Sequence, residues 1–75
     1  MRLSEFNRAV DEEFGHAYGR MLVRDLVLPE LGSVTAEQAL TAGRPAKDVW
    51  LALCEATDVP PQRRYGAGLP APRQE

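Results

Sequence analysis

The sequence predicts an all-α fold: a compact bundle of four short helices, whose second half is like a helix-turn-helix, followed by a disordered C-terminal tail. Apolar residues recur at three- and four-residue steps, glycines and prolines separate these periodic segments, and four of the six prolines fall after residue 59. A chain of 75 residues has room for one domain. We therefore expect a helical domain over residues 1–59 and a flexible tail, containing proline and arginine, over residues 60–75.

The first helix is predicted from four apolar residues that share one helical face: Leu3, Phe6, Val10 and Phe14. Ser4 belongs to the residue types that cap helix N-termini, and Gly15 has the backbone freedom that often ends a helix. We expect an amphipathic helix between these two residues, with its acidic side chains in solvent.

The second helix is expected to run from about residue 16 to Val27, before Pro29 interrupts the pattern. Steps of about 100° per residue place five apolar residues on an inward arc: Tyr18, Met21, Leu22, Leu26 and Leu28. The same count places Asp25 inside this arc, where a carboxylate needs a bonding partner, so we assign it a structural polar role. Arg20, Arg24 and Val27 then share the outer side.

A turn over residues 29–34 and a capping box introduce the third helix. Thr35 and Gln38 have the spacing at which each side chain accepts a hydrogen bond from the other residue's backbone N–H. This short helix is predicted over residues 36–42, and Gly43 suits the left-handed position that follows a helix.

The fourth helix is predicted over residues 45–57, because its initial proline suits a first turn and two further prolines follow residue 59. Four residues face inward by the angular count: Val49, Trp50, Leu53 and Ala56. Cys54 falls at the border of this face. Lys47, Leu51 and Glu55 lie on the outer side, which leaves a leucine between two charged residues.

Residues with catalytic chemistry are scarce in this chain. The only histidine, His16, and the only cysteine, Cys54, are predicted on different helices, so the pattern pairs no nucleophile with a base. Ligand spacings of zinc sites, converging carboxylates and glycine-rich phosphate loops are absent from the sequence. We therefore expect a protein that is not an enzyme and that has no metal and no cofactor.

Cysteine usage and charge indicate the compartment and the class of partner. One cysteine cannot form an internal disulfide, and no uncharged stretch approaches the roughly 18 residues of a membrane span, which predicts a cytoplasmic protein without membrane contact. Residues 1–58 carry six positive and ten negative charges, so the domain has no overall attraction to nucleic acid. Arg63 and Arg64 are expected either to fold back over this acidic domain or to engage phosphate.

Residues 35–57 nevertheless have the spacing of a DNA-binding helix-turn-helix, with a short helix, Gly43 and then Val49 six residues later. Arg44 stands where such motifs usually have an apolar residue. The outward positions of the second helix offer one lysine and no Arg, Asn or Gln to read base edges. DNA binding is therefore the alternative hypothesis.

Several short stretches resemble one known family: Met1–Phe6, Arg24–Asp25, Leu31–Gly32, Ala39–Leu40, Val49–Trp50 and Asp58–Pro61. The chain is similar, over roughly residues 1–64, to a small uncharacterised actinobacterial family, the domain of unknown function 3046 family. The resemblance implies no assigned activity. It implies a loose association with DNA repair, because genes of this family often lie beside that of the recombinase. Leu51 stands where family members often carry arginine, which weakens a phosphate contact from this helix.

The sequence thus predicts a module that binds another protein through the exposed faces of helices two and four. Six residues form the predicted surface: Arg20, Arg24, Val27, Lys47, Leu51 and Glu55. A partner would be anchored on Leu51 or Val27, and the flanking charges would add little energy. The alternative is a helix-turn-helix DNA-binding protein or a DNA-repair-associated accessory protein. The oligomeric state is left open.

Overall fold

The computed structural model describes residues 1–64 as four helices around a short β-ribbon. The elements are α1 Leu3–Phe14, α2 His16–Asp25, β1 Val27–Leu28, β2 Val34–Thr35, α3 Ala36–Thr41 and α4 Ala46–Ala56, with 3₁₀ turns at Pro29–Leu31 and Pro61–Arg63. The predicted four-helix, mostly α architecture is confirmed. The tail predicted to be flexible falls, from residue 65 onward, outside the described residues.

Gly15 separates α1 from α2, as predicted. Its φ of +84° is unfavourable for other residues, and its N–H donates to the Asp11 carbonyl oxygen at 2.9 Å, so one helix ends where the next begins. The prediction for Ser4 is wrong, because α1 starts at Leu3 and Ser4 lies inside its first turn. The backbone N–H of Arg2 donates instead to the Glu5 carboxylate at 2.6 Å, which satisfies one of the free donors of the first turn.

The buried face of α2 differs from the predicted one. Tyr18 and Met21, expected inward, are 54% and 42% exposed. The buried residues of this helix are Gly19, Leu22 and Val23. The reason is the close approach of α1 and α2 at Gly19, where a β-carbon would lie 2.6 Å from Cγ1 of Val10. Because only a glycine permits this approach, α2 turns the face that contains Gly19 toward α1. Tyr18 and Met21, which lie on a different face, are left exposed.

This rotation also corrects the interpretation of Asp25, which is exposed and not inside an apolar arc. Its carboxylate lies 3.2 Å from Nε of its neighbour Arg24. The expected charged partner is therefore present, but the pair lies at the surface, where such pairs contribute about 0–1 kcal/mol.

The second helix ends at Asp25, two residues before the predicted end. The backbone becomes extended at Leu26, and Val27–Leu28 pairs antiparallel with Val34–Thr35, with Val27 opposite Thr35. Pro29 favours this extension, because a proline disfavours helical geometry in the residue before it. The predicted turn over residues 29–34 is thus the loop of a small ribbon.

The start of α3 follows the prediction, and its end lies one residue before the predicted Ala42. The Thr35 hydroxyl accepts from the Gln38 N–H at 3.1 Å, and the Gln38 side chain accepts from the Thr35 N–H at 3.0 Å. After the helix, Gly43 adopts a left-handed φ of +92°. Pro45 then lies directly before the first residue of α4. The capping box, Gly43 and Pro45 thus mark the start of α3, its end and the start of α4.

Trp50 lies at the centre of the core and is 1% exposed, as predicted. Its ring makes edge-to-face contacts with Phe6 and Phe14, each at a centroid distance of 6.4 Å. The other large, fully buried side chains are Phe6, Val10, Leu28, Val49, Leu53 and Cys54. Leu3, predicted on the same inward face of α1, is 55% exposed because it lies in the first turn, beyond the edge of this core.

The buried face of α4 is wider than predicted on one side. Because β1 and the Pro29–Leu31 turn pack against this helix, Ala52 is buried and Leu51 is half-buried against the core. Cys54, expected at the border, is fully buried, whereas Ala56 is exposed in the last turn. Leu51, which was predicted to be exposed on the outer side, therefore packs partly against the core.

Candidate functional site

A groove of about 380 Å³ lies between α4 and the Pro29–Leu31 turn. Its apolar residues are Leu31, Leu51 and Ala52. Two of these belong to α4, where positions 48, 51, 52 and 55 share one helical face because they are separated by three or four residues. Leu31 comes from the opposite wall and is held there by the ribbon.

Three carboxylates line the same groove, namely Glu30 from the turn and Asp48 and Glu55 from α4. Among the lining residues in the described part of the chain, Arg64 provides the only positive charge. The groove therefore combines apolar walls with an acidic rim, an arrangement that attracts positively charged and partly apolar groups.

A second groove of about 260 Å³ adjoins the first and shares Glu30, Ala52 and Glu55 with it. Its remaining residues are apolar: Leu28, Pro29 and Ala56. The two grooves together follow α4 over about two and a half turns, from position 48 to position 56.

The segment after α4 folds back onto the domain, which is one of the two expectations for the paired arginines. The Trp50 indole N–H donates to the Arg64 carbonyl oxygen at 2.7 Å, and Val59 is buried beneath the chain. Arg63 donates to the Glu13 carboxylate at 2.8 Å. Residues 60–64, predicted to belong to the tail, therefore pack against the helices.

The six residues predicted to contact a partner, three on helix two and three on helix four, differ in their exposure and surroundings. Leu51 and Glu55 line the groove, and Lys47 is exposed on α4 outside it. Val27 is 50% exposed, but it lies in β1 and not on α2. Arg24 is exposed beside Asp25.

Arg20, predicted to face outward, is committed to contacts with α1. One of its guanidinium nitrogens lies 3.0 Å from the Asn7 side-chain oxygen, and the other donates to the Asp11 carboxylate at 2.9 Å. This contact joins α1 to α2 on the side opposite the exposed face of Tyr18. Arg20 therefore has fewer donors free for a partner than an exposed arginine has.

One carboxylate oxygen of Asp11 contacts both Arg20 and His16. It lies 2.9 Å from a guanidinium nitrogen of Arg20 and 3.4 Å from Nδ1 of His16. Partial desolvation by itself raises the pKa of Asp11. The hydrogen bonds and positive charges of Arg20 and His16 outweigh this effect and hold the pKa below its usual value of 3.8.

Cys54 lies on the buried side of α4 and is 0% exposed. Burial raises the pKa of this thiol to about 12, although the charge of Arg64 acts in the opposite direction. A thiol in this state is protonated at neutral pH and offers no nucleophile. His16, by contrast, has an exposed side chain that faces Asp11.

Within residues 1–64, no group of three His, Cys, Asp or Glu side chains is placed to hold a metal ion. In the same part of the chain, no helix is long and apolar enough to cross a bilayer.

A family model described as "Protein of unknown function (DUF3046)" matches residues 1–62. The chain belongs to this family. The match ends within the Pro61–Arg63 turn, so this DUF3046 domain includes all four helices and the ribbon. Neither a curated protein nor a solved structure matched the chain.

Sequence reasoning identified Leu51 and Glu55 but missed the other walls of the groove. Asp48 and Ala52 share the helical face of these residues, so their spacing was a usable signal. Glu30 and Arg64 had no such signal, because they lie in turns that only the tertiary fold brings to α4.

Proposed function

We propose that this protein is a non-enzymatic interaction module of the cytoplasm, which binds a segment of another protein in the groove along α4. The observation that supports the proposal is the groove itself, whose apolar residues Leu31, Leu51 and Ala52 are bordered by three carboxylates. The single cysteine, which has no second cysteine to pair with, supports the cytoplasmic assignment.

Leu51 is the expected anchor position of this interface. It is half-buried against the core, so its position is defined before a partner arrives and little side-chain entropy is lost on binding. A partner side chain placed over Leu51 would exclude water from the apolar wall, and the acidic rim would select its charge.

Arg24 on α2 and Val27 on β1 form a second contact area in this proposal. Arg24 is exposed and Val27 is 50% exposed, whereas Arg20 already binds Asn7 and Asp11. Charged residues at the rim of an interface contribute little energy, so we expect Arg24 to affect the rate of association more than the affinity.

The test is affinity capture with the tagged full-length chain, compared among variants by quantitative mass spectrometry. We expect Leu51→Glu to lose a protein that the wild-type chain captures, because the charge prevents an apolar contact. Ser4→Glu is the matched control, since it adds the same charge at an exposed position of α1, outside the groove and outside the second contact area.

Leu51 also contacts the core, so the unfolding midpoint of its variant must be measured. Asp48→Lys provides a second variant, at an exposed residue of the rim. If both variants fold and capture the same proteins as the wild-type chain, the groove is not the binding surface.

DNA binding, or an accessory role in DNA repair, is the second candidate function. It rests on the succession of α3, Gly43 and α4, which has the order of a helix-turn-helix. Against it, the exposed side of α4 carries Asp48 and Glu55, which repel phosphate. A mobility-shift titration with duplex DNA separates the two proposals. Retardation that weakens steeply with salt would favour DNA binding, and a lack of retardation at low salt would exclude it.

A further inference from the structure

The acidic end of the groove already holds an arginine of this chain. Nη2 of Arg64 lies 3.2 Å from the Glu55 carboxylate, and Nε donates to the Val59 carbonyl oxygen at 2.8 Å. The Arg64 side chain is only 19% exposed, so it is packed into the groove and not extended into solvent. The groove therefore already binds one guanidinium group, that of Arg64.

The charges of the groove are not balanced by this arginine. Glu30 and Asp48 make no ion pair with any residue of the described range 1–64, and Arg64 pairs with Glu55 alone. Within this range, two carboxylates on the rim therefore lie next to an apolar wall without a positive partner. Charge complementarity favours an occupant that brings positive charge together with an apolar side chain.

We propose that the groove recognises an arginine-bearing segment of the partner protein, and that Arg64 holds the place of the partner's arginine until the partner displaces it. This inference rests on the proposed function, because it assigns the chemistry of the segment that binds along α4. The partner's arginine takes the Glu55 carboxylate, and a neighbouring apolar residue covers Leu51.

Arginine fits this position better than lysine does. Arg64 uses two nitrogens that point in different directions, one toward a backbone carbonyl oxygen and one toward a carboxylate. A guanidinium group holds such donors in a rigid plane, whereas an ammonium group concentrates its donors on one atom. The site therefore distinguishes the two cations by geometry and not by charge alone.

Displacement of the Arg64 side chain leaves its backbone in place. The segment is held independently by the bond from Trp50 to the Arg64 carbonyl oxygen and by the pair of Arg63 with Glu13. Glu55 is largely exposed, so its pair with Arg64 is screened by solvent and exchanges readily. An incoming arginine can replace the side chain without unfolding the turn.

The test uses the full-length chain and three small probes, followed by NMR of the backbone amides of α4. The probes are the N-acetyl methylamides of arginine, lysine and citrulline, of which citrulline has the shape of arginine without its charge. In Arg64→Ala, we expect the arginine probe to shift the amides of Asp48, Leu51 and Glu55 in a saturable way. The dissociation constant should be about tenfold lower than in the wild-type chain, because the competing side chain is gone.

Glu55→Gln supplies the matched variant, since it removes the charge at nearly constant size. Added to Arg64→Ala, it should abolish the preference for the arginine probe over citrulline. Equal responses to all three probes, or equal affinity in the wild-type chain and Arg64→Ala, would overturn the inference.

Failure of this inference is distinguishable from failure of the proposed function. If capture of a protein depends on Leu51 but the probes show no preference for arginine, the groove binds a partner of another chemistry. If the arginine probe binds as expected but capture does not depend on Leu51, the guanidinium site exists without the proposed protein interface.

Discussion

The backbone of Gly19 contacts Val10 so closely that a β-carbon at position 19 would lie 2.6 Å from Cγ1 and 3.2 Å from the carbonyl oxygen of Val10. Val10 is fully buried, so its side chain has no free space to move into. This contact sets the distance between α1 and α2 and determines which face of α2 is buried.

In Gly19→Ala, an added methyl group overpacks a fully buried contact, which costs about 1–3 kcal/mol. Because the substitution also favours helix formation by about 1 kcal/mol, we expect a net destabilisation of the domain of up to about 2 kcal/mol. The free energy of unfolding in urea, followed by circular dichroism, measures the effect.

The same substitution combined with Val10→Ala gives a double-mutant cycle. Removal of the Val10 methyl groups opens the space that the new methyl group needs, so the double variant should be more stable than the sum of the single effects predicts. Additive effects would show that Val10 is not the obstructing residue.

A second prediction concerns the indole of Trp50, which donates to the Arg64 carbonyl oxygen at 2.7 Å. Trp50→Phe keeps an aromatic ring but removes this donor and part of the ring volume. We expect a loss of about 1–3 kcal/mol in the free energy of unfolding. Arg64→Ala should add its own small effect independently, because the bond from the indole uses the backbone of Arg64. An unchanged unfolding midpoint in Trp50→Phe would contradict the role of this bond.

The pair of Arg20 and Asp11 predicts how stability depends on pH. The pKa of Asp11 is held below its usual value of 3.8 in the folded protein, so its ionised form stabilises the fold. This contribution is fully present above pH 3.8 and is lost as the pH falls through the lower pKa of the folded state. The gap in unfolding midpoint between the wild-type chain and Asp11→Asn should therefore shrink on acidification.

Arg20→Gln is the matched variant, because it removes the other half of the same pair. It should show the same narrowing of the gap at low pH. A gap that stays constant from neutral pH down to strongly acidic pH would mean that the pair contributes nothing through ionisation of Asp11.

Cys54 serves as an internal reporter of unfolding. Its thiol is fully buried and its pKa is raised to about 12, so a thiol reagent at mildly alkaline pH should react only when the domain opens. For a domain with an unfolding free energy of about 5 kcal/mol, native labelling is slower by about a thousandfold or more than labelling in concentrated urea. Gly19→Ala should accelerate native labelling by the factor that corresponds to its loss of stability. Fast labelling of the native wild-type chain would contradict the burial of Cys54.

Features encoded by neighbouring residues were predictable from the sequence. The capping box of Thr35 and Gln38 and the left-handed Gly43 depend on chemistry within one or two helical turns. The burial of Trp50 was also predictable, because so small a domain needs its largest apolar side chain in the core.

The rotation of α2 was not predictable, because Leu22 belongs to two different arcs of this helix. Tyr18 and Met21 complete one arc, and Gly19 and Val23 complete the other. The choice depends on the close contact of Gly19 with a residue of α1, which no property of α2 alone reveals.

Some residues of the candidate site were likewise predictable from the sequence, and others were not. The helical spacing of α4 brings Leu51 and Glu55 close to each other, and this spacing can be counted along the chain. The opposite wall comes from Glu30 and Leu31, and the end of the groove comes from Arg64, which are distant from these residues in sequence. The ribbon and the Trp50 bond bring them to α4, so only the folded chain forms the groove.

The order of residues alone therefore determined the number of helices, most of their ends and the centre of the core, since backbone hydrogen bonding and apolar periodicity act over short distances. Tertiary structure decided which side of α2 is buried, that residues 27–35 form a ribbon and that an arginine lies in an acidic groove. These outcomes depend on contacts between separate segments of the chain. Local sequence patterns are compatible with more than one arrangement of these segments, and the close packing of side chains selects one of them.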